Sequence, residues 1–204
     1  YFKTAWTGRA NLDPPAALNT YKRLAEILFE TSDYEGMQSL VGDPTPDGLS
    51  GDEPHLLKGL AAWAAKDYSA AARHLKEVSQ SSEQIRMIYA ESLAKSGDTE
   101  PAIAEYERIA DGHGDMGARA QMNAAEILDE SGRSSEGLIG YYKVLAVYES
   151  DTASDAASEA LLRISKIYAK IGEAEKSKNT ARDLLNKYPK SRAARDGAAL
   201  AGGQ

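Results

Sequence analysis

A turn that recurs along this chain limits what it can fold into more than any other feature of the sequence. Its clearest copy is Ser96-Gly97-Asp98-Thr99-Glu100-Pro101-Ala102-Ile103. Lys95 sits in the closing turn of one helical pattern, and Gly97 is free to take a left-handed cap. Asp98 offers an acceptor to the free amides of a following helix, and an apolar run then resumes. Such a stretch predicts two helices joined as a tight hairpin. Placing Ser32, Lys66, Gly97, Gly132 and Gly172 at equivalent turn positions gives spacings of 34, 31, 35 and 40 residues. A period of that length marks stacked repeats, in which each unit buries its apolar face against the next.

Helical periodicity predicts paired segments at 17–31 and 33–41, 55–65 and 68–78, 82–95 and 99–110, 118–130 and 134–148, and 154–170 and 174–187. A shorter helix, polar on much of its surface as a terminal cap must be, is expected over 191–200. Pro14-Pro15 makes a rigid entry to the first pair, and Tyr188-Pro189 closes the last behind a basic turn. The prolines and glycines of 43–54 forbid a helix through that stretch, the one long break in the array. Asp111-Gly112-His113-Gly114-Asp115 reads as a second, shorter connector. The domain organisation expected is therefore a solenoid over 14–200, with units at 14–44, 52–80, 82–111, 117–150 and 154–189, a cap at 191–200 and a tail at 201–204. The stretch 1–13 reads either as the end of a preceding repeat or as a leader.

In this register two positions should be small, because the helices approach closely there. The eighth position of each unit is Ala25, Gly59, Ala90, Ala125 and Ser165; the twentieth is Met37, Ala71, Ala102, Gly137 and Ser177, of which only Met37 departs. The seventh is less regular, with Leu24, Lys58, Tyr89, Ala124 and Ile164, and the twenty-fourth is mostly bulky, with Val41, Leu75, Tyr106, Tyr141 and Ala181. This pattern resembles the tetratricopeptide repeat (TPR) family over nearly the whole chain. The resemblance implies an all-α fold, a right-handed superhelical solenoid of about five antiparallel helix hairpins with a C-terminal capping helix. The 40-residue spacing from Gly132 to Gly172, with Leu184-Leu185-Asn186-Lys187-Tyr188-Pro189, is also similar to the longer repeats of bacterial cell-envelope TPR proteins. That likeness implies a periplasmic or envelope-associated soluble domain. The chain starts at Tyr1 rather than Met, so a signal peptide or membrane anchor is expected upstream if the likeness holds.

Catalytic chemistry finds little support. With no cysteine, neither a disulfide framework nor thiolate chemistry is available. His55, His74 and His113 are the only imidazoles, and they read as scattered through three different units, so no nucleophile, base and orienter can be assembled. Asp111, His113 and Asp115 alternate in a way that could present metal ligands, but a polar glycine-rich link is the preferred reading. Asp43, Thr45 and Asp47 followed by Gly48 echo a calcium loop, yet Pro54 stands where its final acidic ligand belongs. No glycine-rich phosphate cradle is present. The expectation is a protein that is not an enzyme, with no cofactor and no metal. A net charge of −7 disfavours nucleic acid as a partner.

The remaining possibility is the surface that stacked hairpins create. The TPR resemblance implies a concave groove lined by first helices, which binds a peptide or protein segment. Carrying the family's groove positions onto this chain gives Phe29, Leu56, Leu60, Trp63, Met87, Glu91, Met122, Glu126 and Lys166 as peptide-binding candidates. Phe29, Leu56, Leu60, Trp63, Met87 and Met122 would form an apolar floor suited to an adaptable site. Glu126, Asp129 and Glu130 would meet Lys166 and Lys170 across successive units, a charge pattern whose preferred reading is mutual neutralisation on a wet surface. Lys22 stands where carboxylate-clamp co-chaperones place a lysine, but Glu26, Leu56 and Leu60 follow where the clamp needs other residues. The function expected is a non-catalytic scaffold or adaptor. Self-assembly into a homo-oligomer, or a regulatory role within a larger envelope protein, is the alternative.

Overall fold

The computed structural model describes residues 2–43, 46–78, 82–112, 114–148 and 154–202, and all regular structure among them is helical. Two compact units emerge, Tyr1–Asp98 and Thr99–Gln204. The first holds α1 (Phe2–Thr7), a short 3-10 turn (Arg9–Asn11), α2 (Pro14–Glu30), α3 (Tyr34–Gly42), α4 (Glu53–Ala64), α5 (Tyr68–Leu75) and α6 (Glu83–Ser96). The second holds α7 (Thr99–Ala110), α8 (Gly114–Glu130), α9 (Ser134–Tyr148), α10 (Ser154–Lys170), α11 (Ala174–Lys187) and α12 (Arg192–Gly202). Within each unit consecutive helices pack on one another, as an all-α solenoid requires.

The five turn positions share one backbone conformation. Ser32, Lys66, Gly97, Gly132 and Gly172 all have positive φ, at 54°, 62°, 93°, 85° and 84°. After each, the next amide reaches back to a carbonyl of the preceding helix: Asp33 to Leu28 at 2.8 Å, Asp67 to Ala62 at 2.9 Å, Asp98 to Leu93 at 2.9 Å, Arg133 to Leu128 at 2.8 Å and Glu173 to Tyr168 at 2.9 Å. This left-handed cap satisfies carbonyls that the helix end leaves open. Several aspartates then start the next helix, with Asp33 accepting from the Gly36 amide at 2.9 Å and Asp67 from the Ala70 amide at 3.0 Å. Asp98 accepts from Ser96 Oγ at 3.1 Å.

All ten residues at the eighth and twentieth positions are buried. At Gly59 an added Cβ would fall 2.6 Å from Leu75 Cδ2, so the α4–α5 hairpin closes only without a side chain there. Ser165 and Ser177 meet across α10 and α11, Ser165 Oγ donating to the Ser177 carbonyl at 2.9 Å. Met37 breaks the small-residue rule and is nonetheless only 2% exposed, filling a core with Leu24, Ala25, Leu28 and Leu40. Trp6 joins that core, edge-on to Tyr21 with centroids 5.0 Å apart and donating from Nε1 to Asp43 Oδ2 at 2.8 Å.

In the second unit, Ala125, Tyr141, Val144, Ile164 and Ile167 form the central core. The last helix covers Leu161, Leu162 and Leu184 with Ala193 and Ala194. Periodicity places the start of α8 near Ala118, but the helix begins at Gly114, whose φ of +67° turns the chain into it. Gly117, Ala118 and Ala120 are buried, so packing recruits the glycine-rich stretch into helix despite its low propensity. His113 and Thr45, and with them the complete metal and calcium-loop candidates, lie outside the described residues.

Candidate functional site

In the first unit the first helices α2, α4 and α6 frame an apolar cleft of about 200 Å³. Phe29 enters it from α2, Leu56 and Leu60 from α4, and Ile85 from α6. Helical spacing explains the pair on α4, since residues four apart share a face. Leu49 is also part of the wall. It comes from the 43–54 break, which turns back at Gly48, where φ is +99°. Phe29 touches the cores on both sides of it, so the cleft is a continuation of the packed interior toward solvent.

Polar groups rim this cleft. Lys22 Nζ meets Glu53 Oε1 at 2.6 Å, tying α2 to the start of α4. Glu53 also accepts from the Ser50 amide at 3.1 Å. The bond from Lys22, then that from Ser50, hold the Glu53 carboxyl below its ordinary range against the opposing effect of burial. Glu26 is paired with Arg23 at 2.8 Å on the same helix.

The groove candidates do not all converge. Phe29, Leu56 and Leu60 come together in the cleft, and Leu60 is itself buried. Trp63 does not line it: its ring lies edge-on to Tyr34, centroids 5.3 Å apart, and its buried Nε1 has no hydrogen-bond partner among the described residues. Met87 and Glu91 are half-buried on α6. In the second unit Met122 packs against the central core beside Ala125 and Tyr141.

The charges of that unit form a specific network. Asp129 takes Lys170 at 2.9 Å, as the charge pattern predicts. Burial pushes the Asp129 carboxyl up, but hydrogen bonds from Ser134 and Lys170 outweigh it and leave the group below its ordinary value. Glu126 meets Arg163 at 2.9 Å rather than Lys166. The cause is geometric. Arg163 also holds Glu159 on its own helix at 3.0 Å, and a guanidinium has donors enough to serve two carboxylates from one position. Lys166 is exposed.

Reading the histidines as scattered also needs correction. His55 and His74 lie in the same hairpin, ring centroids 5.7 Å apart, because antiparallel helices bring the start of one beside the end of the next. Burial first, then the charges of His55, Lys58 and Arg73, push the His74 imidazole below its ordinary value. Among the described residues no cluster of three His, Asp or Glu side chains is arranged to hold a metal.

The family profile described as tetratricopeptide repeat matches residues 159–191, which span most of α10 and all of α11. No curated protein matches the chain by sequence. Solved structures that share its fold include two TPR proteins. One is YrrB, described as a TPR protein with an unusual peptide-binding site, at 14% identity with 97% of each chain covered and a TM-score of 0.63. The other is TTC0263, a thermophilic TPR protein of Thermus thermophilus, at 14% identity, covering 90% of this chain and 98% of the other, with a TM-score of 0.52. The chain thus carries a tetratricopeptide repeat and has the fold of tetratricopeptide-repeat proteins.

Proposed function

We propose that the protein is a non-catalytic interaction scaffold that grips a peptide segment through an apolar anchor seated in the cleft of the first unit. The convergence of Phe29, Leu56, Leu60 and Ile85 on one opening of about 200 Å³ carries this reading. A cleft that size takes one large aliphatic or aromatic side chain, with the rest of the segment lying over the rim. YrrB, which shares the fold, is described as having a peptide-binding site, and this supports the class of ligand. The Lys22–Glu53 and Arg23–Glu26 pairs would contribute orientation more than affinity, being solvent-facing.

Selection from a displayed peptide library tests the reading. Recovered peptides should share a Leu, Phe or Trp anchor, and Leu56→Asn should weaken them about tenfold or more while circular dichroism shows the helical fold retained. Recovery of peptides without such an anchor, or unchanged binding by Leu56→Asn, would refute it. Trp63 is a poorer probe, since its ring packs on Tyr34 and its loss would disturb the fold.

A second reading, self-assembly, is favoured by the second unit. Ile139 and Tyr142 on α9 and Ile171 just beyond α10 are 58%, 45% and 50% exposed, an unusual amount for large apolar residues. Tyr142 and Tyr168 hydroxyls lie 3.1 Å apart and join the two helices at this patch. Light scattering after size exclusion distinguishes the readings: a concentration-dependent oligomer that Ile139→Glu disperses supports self-assembly.

A further inference from the structure

A second cleft, of about 580 Å³, opens in the second unit between α7, α8 and α9. It differs in kind from the apolar one. Its walls are charged, and the largely buried Gln121 lines its floor. Glu107, Arg108 and Asp111 come from α7 and its end, Gln121 from α8, and Lys143 and Val147 from α9. The volume falls within the range of small-ligand sites, roughly 300–1,000 Å³.

Three features set this cleft apart. Glu107 and Asp111 stand four residues apart along one helical face, where like charges repel. Lys143 faces the same cleft from α9, yet no ion pair joins it to either carboxylate among the described residues. Gln121 is only 8% exposed, and no hydrogen bond to the described residues occupies its carboxamide. The carboxamide is not sealed from solvent, so its donor and acceptor are presented to whatever enters the cleft. An added Cβ at Gly140 would fall 2.8 Å from Ala125 Cβ and 3.4 Å from Gln121 Nε2, so α8 and α9 approach closely beside this side chain. Arg108 is already engaged by Glu105 at 3.2 Å.

We propose that this cleft binds a dipolar peptide of two or three residues. Its positive group faces Glu107 and Asp111, its negative group faces Lys143, and a peptide unit pairs with the Gln121 carboxamide, which can both donate and accept. A ligand of single charge would satisfy one wall and be repelled by the other, and a neutral one would leave both walls unmatched. The opposite charges could be the two ends of a free peptide or neighbouring side chains of a longer chain. The chemistry recognised is the same.

Nuclear magnetic resonance titration of the full chain with three probes tests this: triglycine, capped acetyl-Lys-Gly-Glu-amide, and capped neutral diglycine. Saturable shifts of the Gln121 side-chain amide are expected with at least one charged probe, and the neutral probe should bind about tenfold more weakly. Preference for triglycine identifies a free peptide as the source, and preference for the capped probe a protein segment. Lys143→Ala and Glu107→Gln, both at exposed positions, should each weaken binding about tenfold with the spectrum otherwise intact. Gln121→Leu should lose binding while keeping the fold. The proposal is overturned if neither charged probe saturates by about 10 mM, if the neutral probe binds equally well, or if both charge variants bind like the parent.

Discussion

Ser32 and Lys66 occupy left-handed backbone at the two turns where the chain does not use glycine. A side chain in that conformation is strained by roughly 1–2 kcal/mol, and glycine's extra freedom when unfolded recovers part of the difference. Ser32→Gly and Lys66→Gly should therefore each stabilise the first unit by about 0.5–1 kcal/mol in a denaturant titration, and Gly97→Ala should do the reverse. Interior glycines follow a different logic, set by space. Gly137 lies in α9, where alanine would ordinarily gain about 1 kcal/mol of helix propensity. A Cβ there would sit 2.9 Å from the Ala125 carbonyl oxygen and 3.2 Å from the Asp129 nitrogen, both backbone atoms that cannot swing aside. Gly137→Ala should cost about 1–3 kcal/mol. Gly42, near the end of α3 with nothing within 4 Å of such a Cβ, should tolerate alanine or gain slightly from it. Thermal melts of the two variants should move in opposite directions, and a loss at both positions would contradict the packing described.

Between helices, the ties that matter respond to acid. The folded state holds Glu53 below the ordinary carboxylate range, so ionised Glu53 stabilises the α2–α4 contact above that range. The contribution disappears as pH falls through the lowered value. Glu53→Gln should make stability less dependent on pH below about 4.5. His74 has the same sign by a different cause. Its neutral form is preferred in the fold, because burial and then the charges of His55, Lys58 and Arg73 resist protonation. The unfolded chain takes up the proton first, and the α4–α5 hairpin should lose stability as pH drops below about 6.5. His74→Gln should remove that decline between pH 7 and about 5 in a melting series, and an unchanged decline would assign it to other groups. This hairpin also shows what sequence alone yields. The turn at Lys66 and the small Gly59 are legible because a tight turn and a close approach restrict residue type directly. The His55–His74 meeting escapes a reading by unit, although antiparallel pairing of 55–65 with 68–78 already implies it. The apolar cleft is only half legible. Phe29, Leu56 and Leu60 follow from register, whereas Leu49 depends on how an irregular break folds back. Arg163 escapes because its reach, rather than its register position, brings it to Glu126. Gln121 reads in sequence as an ordinary polar helix residue, and only its burial at an open cleft sets it apart.

At the scale of the whole molecule, stability in a stack of repeats is close to a sum of neighbour contacts, so damage at one end should remain there. The last helix makes this testable. α12 packs on α10 and α11, and an added Cβ at Gly197 would come within 3.0 Å of Leu184 and 3.2 Å of Leu162. Leu162 and Leu184, 2% and 0% exposed, depend in part on that cover. Ending the chain before Arg192 would return much of their surface to water. At about 1.5–3 kcal/mol for each fully buried leucine, the loss should be roughly 2–5 kcal/mol. The second unit has Tyr141 as an internal reporter in its core, and the first has Trp6 and Trp63. Denaturation followed by tryptophan fluorescence should change little on truncation, while far-ultraviolet dichroism should acquire an early transition carrying about half of the helical signal. If the tryptophan transition shifts as far as the helical one, the two compact units unfold as a single cooperative body, and nearest-neighbour additivity fails for this chain. Replacing Ala193 and Ala194 with serine within the complete chain provides the milder version. It should produce the same ordering of transitions with smaller displacement, because the cover stays in place and only its apolar contact with the leucines is weakened.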